Sequence, residues 1–203
     1  MKILVATEKP FAKTAVDGIR SIIEKAGYEL ALLEKYTDVS DFHKAVADAD
    51  ALIVRSDKVT KEVVDAAKKL KIVVRAGAGF DNLDLAACSA RNIVAMNTPG
   101  QNSNAVAELA IGMMIYMSRN SFNPGTGSEL KGKKLGIHAY GNVGKLAAKI
   151  AKGFGMEVYA FDPYVSGEAM KAEGIIPVNS AEELYTTCHF VSLHIPANEQ
   201  TKK

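Results

Sequence analysis

Short apolar segments alternate with amphipathic segments along the first half of the chain. Segment 2–7 (KILVAT) is an apolar run that predicts a strand. The segment after it predicts a helix, whose inner face consists of Ala12, Val16, Ile19, Ile23 and Ala26. The alternation then predicts helices over 41–47 and after Thr60, and strands over 29–33, 51–55, 71–75 and 92–96. Continuously apolar strands separated by helices are typical of a parallel sheet that is covered on both faces.

Segment 97–105 (NTPGQNSNA) interrupts this alternation with proline, glycine and capping residues, so we expect it to end a strand and start a helix. The predicted helix, over 102–119, has a broad apolar stripe made of Val106, Leu109, Ala110, Met113, Met114 and Met117. Because this helix lies between two β/α blocks, we expect it to contact another domain or subunit. The polar loop 120–133 is the candidate boundary before the second block.

The second block repeats the β/α alternation. Apolar segments predict strands over 134–139, 157–161 and 190–195, the last followed by Pro196. A helix is expected after residue 144, where apolar residues recur at helical spacing, and a short one over 181–186.

Composition narrows the possible functions. The 203 residues are 48% hydrophobic and 24% charged, which is typical of a globular protein and argues against wholesale disorder. A net charge of +2 gives no polybasic surface, so neither nucleic acid nor an anionic membrane is expected as the main partner. The longest apolar run, Leu109–Met117, is too short to span a bilayer.

Cysteine and histidine usage favours a cytoplasmic protein without a metal site. The two cysteines, Cys88 and Cys188, form no CxxC pair and no disulfide framework, so we expect a reducing compartment. The apolar run near Met1 is too short for a signal peptide. None of the four histidines has zinc-ligand spacing, and we expect no metal.

The sequence Ala139-x-Gly141-x-x-Gly144 lies between a predicted strand and a predicted helix. It is the dinucleotide-binding pattern with alanine in place of the first glycine, and it brings bare backbone to the N-terminus of a helix, where a diphosphate binds. We expect the Ala139 methyl group to be tolerated if φ is negative, and the side chains of Tyr140 and Asn142 to lie over the cofactor.

An acidic residue, Asp162, ends the next strand, 18 residues after Gly144. A carboxylate there accepts hydrogen bonds from a ribose and repels a 2′-phosphate, which favours NAD over NADP. The alternative is a glycine-rich turn that only connects a strand to a helix.

Two arginines follow neighbouring predicted strands, Arg55 before Ser56 and Arg75 before a glycine-rich segment. Since ligands of open α/β sheets bind beyond the carboxyl ends of the strands, these cations are candidates for a small-anion site. Polar residues at 81–82 and 102–103 are further candidates for the same crevice. The alternative is a pair of surface arginines in weak ion pairs.

Together, segments 75–114, 129–163 and 191–196, which include RAGAGFDNLDLAA, ELKGKKLGIHAYGNVGK and VSLHIP, resemble the D-2-hydroxyacid dehydrogenases. Within that family they are most similar to the short-form D-3-phosphoglycerate dehydrogenases. The resemblance implies an α/β fold of two Rossmann-like parallel-sheet domains. These are a flavodoxin-like substrate domain over 1–97 and an incomplete NAD-binding domain over 98–203, which includes linker helix 102–119.

The resemblance also implies an oxidoreductase that uses NAD, a small anionic 2-hydroxy or 2-keto acid as substrate, and a homodimer built on the cofactor domains. The implied reaction is oxidation of D-3-phosphoglycerate to 3-phosphohydroxypyruvate, in serine biosynthesis. The positions that match substrate-binding residues of the family are Arg55, Ser56, Arg75 and Asn102. Those that match cofactor-binding residues are Ala78, Tyr140, Gly141, Asn142, Val143, Gly144, Asp162, Pro163, His194, Ile195 and Pro196.

Some features depart from the family pattern. Ala139 replaces a glycine, Asn142 stands where arginine is frequent, and loop 120–133 is short and lacks tryptophan. In the family the catalytic arginine, glutamate and histidine lie beyond the position of Lys203, so we expect residues 1–203 alone to be inactive. Three alternatives remain open: a dehydrogenase for glyoxylate, hydroxypyruvate or lactate-type acids, an NAD-sensing scaffold without catalysis, and a fragment without a ligand.

Overall fold

The computed structural model describes residues 1–196 and 201, and the chain divides into two compact units, Met1–Gln101 and a second that starts at Asn102. Each unit contains its own parallel sheet with helices packed against it. The predicted fold class, α/β with two Rossmann-like parallel sheets, is confirmed.

The first unit alternates strands and helices throughout. Its elements are β1 (Lys2–Thr7), α1 (Lys13–Lys25), β2 (Glu29–Glu34), α2 (Val39–Val46), β3 (Ala51–Val54), α3 (Lys61–Ala66), β4 (Ile72–Arg75), α4 (Leu85–Ala90) and β5 (Val94–Asn97). All neighbouring strands are parallel, in the order β2-β1-β3-β4-β5, which is the flavodoxin-like order.

One face of this sheet forms the core of the first unit. Alternate strand residues such as Leu4, Leu52 and Val73 pack in one buried cluster with residues from α2, α3 and α4. Helix α4 was not predicted, because its six residues (LAACSA) are too short to show a helical period. It is instead started by Asp84, whose side chain accepts a hydrogen bond from the Ala87 amide at 2.8 Å.

The second unit contains the remaining elements. They are α5 (Ser103–Ser118), a 3₁₀ turn (Asn120–Phe122), β6 (Lys134–His138), α6 (Asn142–Gly153), β7 (Glu157–Phe161), α7 (Gly167–Ala172), β8 (Ile176–Pro177), α8 (Ala181–Thr187) and β9 (Phe190–Leu193). The sheet order is β8-β7-β6-β9, and every described pair is parallel.

The core of the second unit lies between this sheet and helices α5, α6 and α7. The opposite face is close to α8, since a Cβ added at Gly136 would lie 2.8 Å from Leu184 Cγ. Neither α7 nor the two-residue strand β8 was predicted, because elements this short do not show a periodic pattern. The last strand, β9, ends at Leu193 and is two residues shorter than the predicted strand over 190–195.

Helix α5 is apolar on more than one face, and the predicted single stripe is divided between them. Its inner residues, Ala107, Ile111 and Met114, belong to the buried cluster of the second unit. Leu109 and Met113 from the predicted stripe are instead 63% and 56% exposed. Of the described helices, none has the length and hydrophobicity to cross a membrane.

Candidate functional site

The carboxyl ends of the central strands in the first unit lie level with one another. The register pairs Val54 with Arg75 and Arg75 with Asn97, so the residues that follow these strands emerge at one edge of the sheet. Arg55 and Ser56 therefore emerge beside Arg75, as their positions after neighbouring strands predicted.

Arg75 is held in place by the backbone around it. Its Nε donates a hydrogen bond to the Arg55 carbonyl oxygen at 2.9 Å, and its guanidinium fills the space where a Cβ on Gly77 would lie. The loop that follows is fixed from β5, because Asn97 Nδ2 donates to the Ala78 carbonyl oxygen at 2.7 Å. With Arg55 and Ser56 exposed beside it, this edge presents two guanidinium groups to an anion.

The turn after β3 is anchored by Asp57, a residue that sequence analysis did not identify. Asp57 is 6% exposed, and its Oδ1 accepts hydrogen bonds from the Glu8 amide at 2.7 Å and the Tyr36 hydroxyl at 2.8 Å. Burial, and then the hydrogen bond to Asp57, raise the pKa of Tyr36. Asp57 thus ties the Arg55–Ser56 turn to the segment after β1 and to the loop after β2.

In the second unit, the carboxyl ends of three strands are also level. His138 pairs with both Phe161 and Leu193, so Ala139, Asp162 and His194 follow at one edge. The Ala139 amide donates to the Phe161 carbonyl oxygen at 2.9 Å, and the His194 amide donates to the His138 carbonyl oxygen at 2.9 Å. These two bonds extend the hydrogen bonding between β6 and each of its neighbours by one residue beyond the strand ends.

Two contacts shape the turn over 139–144. Gly144 is close to the strand end, because an added Cβ would overlap the Ala139 carbonyl oxygen and lie 3.0 Å from Ile137 Cγ2. Gly141 is open, and an added Cβ would meet no described atom within 4 Å. Ala139 does not meet the condition of a negative φ: its φ is 76°, a left-handed conformation that costs an L-residue about 1–2 kcal/mol.

The expected position of the Tyr140 side chain over the cofactor is also wrong. Tyr140 is 1% exposed and packs in the core of the second unit, because the residue after Ala139 turns inward. Its hydroxyl donates to Glu173 Oε2 at 2.9 Å, and burial, then this bond, raise the pKa of Tyr140. Hydrogen bonds from Lys145 and then Tyr140 lower the pKa of Glu173.

The N-terminus of α6 faces the open space beside Gly141. Gly141 is the N-cap, no side chain makes a capping bond, and no acidic residue lies in the first turn. Asn142 is exposed and Val143 is half-buried. A helix end without a capping side chain leaves N–H groups and the positive end of the helix dipole for an anion such as a diphosphate.

Asp162 is held by the backbone at the end of β7. Its Oδ2 accepts a hydrogen bond from the Tyr140 amide at 2.8 Å, and its Oδ1 accepts one from the Tyr164 amide at 2.8 Å. Each carboxylate oxygen has a further lone pair to accept from a ligand hydroxyl. The open turn, the uncapped helix and this fixed carboxylate together fit a dinucleotide.

The other predicted residues are less tightly placed. His194 Nε2 forms a hydrogen bond with Ser192 Oγ at 2.9 Å, and burial lowers the pKa of His194. Ile195 is half-buried, and Pro163, Pro196 and Ala78 are exposed. Asn102 belongs to the second unit, where it is the N-cap residue of α5 but makes no capping bond with its side chain.

Comparison with known proteins gives a consistent family match. Residues 11–192 match the family described as D-isomer specific 2-hydroxyacid dehydrogenase, catalytic domain. A crystal structure of NAD+-bound 3-phosphoglycerate dehydrogenase from Entamoeba histolytica is similar over 100% of this chain and 65% of that one, with 51% identity and a TM-score of 0.92.

Two curated relatives differ in the reaction that their names give. D-3-phosphoglycerate dehydrogenase from Methanocaldococcus jannaschii is 38% identical over 77% of this chain and 33% of its own length. Hydroxypyruvate reductase from Thermotoga maritima is 36% identical over 86% of this chain and 60% of its own length. The chain thus spans between a third and three fifths of these relatives.

Alanine substitutions at Gly144 and Gly141 test whether the backbone is closely packed at the first position and open at the second. Gly144→Ala forces a methyl group against the Ala139 carbonyl oxygen, and we expect the free energy of unfolding to fall by about 1–3 kcal/mol. Gly141→Ala meets open space, and we expect a change within about 0.5 kcal/mol. Urea denaturation followed by circular dichroism measures both. Equal destabilisation would contradict the close approach at Gly144.

Proposed function

The chain belongs to the D-isomer specific 2-hydroxyacid dehydrogenase family, and we propose that it forms the substrate- and cofactor-binding part of an NAD-dependent D-3-phosphoglycerate dehydrogenase. Residues 1–97 act as the substrate domain and residues 98–203 as the NAD-binding domain. The observation that carries this proposal is the turn over 139–144, which is open at Gly141, adjoins an uncapped helix and is hydrogen-bonded to Asp162.

Each part of this turn has a role in binding NAD. The amides at the start of α6 hold the diphosphate, and Asp162 accepts hydrogen bonds from the adenosine ribose. Val143 and Pro163 border these two positions, and the segment from His194 to Pro196 lines the adenine side. When bound, NAD would supply the hydride acceptor for the oxidation.

The arginine edge of the first unit binds the substrate in this proposal. D-3-phosphoglycerate carries a carboxylate and a phosphate, and Arg55 and Arg75 are the cations that hold these groups, with Ser56 as a hydrogen-bonding partner. Because Arg75 Nε is bonded to the Arg55 backbone, the Arg75 guanidinium is held beside the residue that carries the second cation.

The acid/base step needs chemistry that the arginine edge and the turn over 139–144 do not provide. Oxidation of a hydroxyl needs a base for its proton, and a bound carboxylate needs a cation beside it. The histidine at the cofactor edge, His194, is hydrogen-bonded to Ser192 and lies on the side assigned to adenine. We therefore propose that residues 1–203 bind ligands but do not turn over substrate.

The exposed face of α5 is the surface that we propose for a homodimer. Leu109, Met113 and Met117 are 63%, 56% and 67% exposed and lie at helical spacing, and Phe122 after the helix is 67% exposed. An apolar stripe of this length is typical of a protein–protein interface. A second copy of the chain covers it through the same face, as a twofold interface requires.

Cofactor binding without turnover tests the main proposal. Residues 1–203 should bind NADH in calorimetric titration and reduce no NAD+ when D-3-phosphoglycerate is added. Gly141→Ala should weaken NADH binding at least about tenfold while the fold is kept, because the methyl group occupies the space for the diphosphate. Turnover by the 203-residue chain, or undisturbed binding in the variant, would contradict the assignment.

Substrate selectivity distinguishes phosphoglycerate from smaller acids. In a catalytically active form of the protein, Arg55→Ala should lower kcat/KM for the phosphorylated substrate about 30-fold or more, since an unpaired bound charge costs about 2–5 kcal/mol. Glyoxylate should be affected much less. Lys58→Ala, which removes an exposed cation from the same turn, is the matched control. Equal losses for both substrates would favour a glyoxylate or hydroxypyruvate enzyme.

The dimer proposal predicts a mass of twice 21.7 kDa in light scattering after gel filtration. Met113→Asp places a charge in the centre of the α5 face and should give a monomer with unchanged circular dichroism. Ile22→Asp, at an exposed apolar position on α1 of the first unit, should leave the dimer intact. A monomeric unmutated chain, or a dimeric Met113→Asp variant, would exclude this interface.

A further inference from the structure

We propose that the hydrogen bond from Tyr140 to Glu173, the Tyr140–Glu173 contact, holds the turn over 139–144 in the shape that receives the cofactor's diphosphate. Glu173 is the residue that follows the last turn of α7, and it acts as a positioning residue through its bond to Tyr140. The inference rests on the proposed function and adds to it the side chains that determine how strongly the cofactor binds.

The turn needs such support because its first residue is strained. Ala139 has a φ of 76°, a conformation that a non-glycine residue adopts only at a cost in free energy. Glycine adopts the same conformation without the Cβ penalty. The alanine in this chain does carry the Cβ penalty. Contacts from neighbouring residues therefore have to hold the turn against relaxation.

Tyr140, the next residue, makes contacts in two directions. Its amide donates to Asp162 Oδ2 at 2.8 Å, which fixes the main chain directly after the strained residue. Its side chain is 1% exposed, and its hydroxyl donates to Glu173 Oε2 at 2.9 Å. A rotation of the turn would therefore move the Tyr140 ring and break the bond to Glu173.

Glu173 is itself anchored to α6. Lys145 Nζ donates to Glu173 Oε1 at 2.9 Å and lies 5.6 Å from the centre of the Tyr140 ring. Lys152 Nζ donates to the Glu173 carbonyl oxygen at 2.8 Å. The acceptor of the Tyr140 hydroxyl is thus bonded to the same helix whose first amides face the open space at Gly141.

These bonds bear on binding because Gly141 directly follows Tyr140. A displacement of Tyr140 moves Gly141 and the first amides of α6, and loss of about 0.5 Å of positional precision in such a site weakens a fixed set of hydrogen bonds. The Tyr140–Glu173 contact, by opposing the strain at Ala139, keeps those amides in place before the cofactor arrives.

A matched tyrosine in the same unit provides the control. Tyr159 also has a glutamate near its hydroxyl, Glu157 Oε2 at 3.4 Å, and a lysine, Lys134, whose Nζ is 5.5 Å from the ring centre. Tyr159 lies within β7, away from any turn. Tyr159→Phe therefore removes a tyrosine hydroxyl that also has a glutamate and a lysine near it, without affecting the turn over 139–144.

The experiment is a double-mutant cycle on residues 1–203 with Ala139→Gly, Tyr140→Phe and both together. We expect Tyr140→Phe to raise the Kd for NADH about 5–10-fold, since a hydrogen bond to a charged group contributes at least about 1 kcal/mol. In the Ala139→Gly background the same change should have about a twofold effect or less, because the strain is gone. Tyr159→Phe should leave the Kd unchanged.

Two further measurements separate positioning from general stability. Amide hydrogen exchange without NADH should be faster at residues 141–145 in Tyr140→Phe and unchanged in Tyr159→Phe. Glu173→Gln, which keeps an acceptor for the Tyr140 hydroxyl, should bind NADH more tightly than Glu173→Ala, although both lose the charge that pairs with Lys145.

The outcomes keep this inference distinct from the proposed function. Equal losses of NADH affinity with and without the Ala139→Gly substitution, or unchanged exchange at 141–145 in Tyr140→Phe, would overturn the role of the Tyr140–Glu173 contact. If the unmutated chain binds no NADH, the proposed function fails, and the exchange comparison still decides whether this contact holds the turn.

Discussion

The close approach of α6 to the end of β6 is the constraint on which the second unit depends. At Gly144 the helix backbone lies so near the Ala139 carbonyl oxygen that no side chain fits between them. This contact directs the first turn of α6 toward the carboxyl edge of the sheet, beside Asp162. A bulkier residue at this position would push the helix outward and move its N-terminal amides away from that edge.

The two units place positive charge at the carboxyl edge of their sheets by different means. In the first, positive charge at the sheet edge is organised by the backbone, as Arg75 donates to the Arg55 carbonyl oxygen. In the second unit, the positive charge comes from the N-terminal end of the α6 dipole, because the N-cap is Gly141 and the turn itself has no cationic side chain. Both edges follow from parallel strands that end level.

Strain at Ala139 and burial of Tyr140 belong together. A left-handed alanine persists only where its surroundings determine its conformation, and the buried tyrosine beside it supplies two such contacts, to Asp162 and Glu173. A motif with glycine at this position would not need that support. The alanine at residue 139, where the general dinucleotide-binding pattern has glycine, is therefore accompanied by contacts elsewhere in the same unit.

The sequence by itself determined the fold class, most strands and long helices, and the position of the turn at 139–144, because hydrophobic period and glycine spacing are local properties. It did not determine α4, α7 or β8, which are too short to show a period. Only the tertiary structure decided that Tyr140 points inward and that Asp57 and Glu173 support the candidate sites. Their partners, Tyr36 and Tyr140, are distant along the chain, and packing of the sheet and helices brings them into contact.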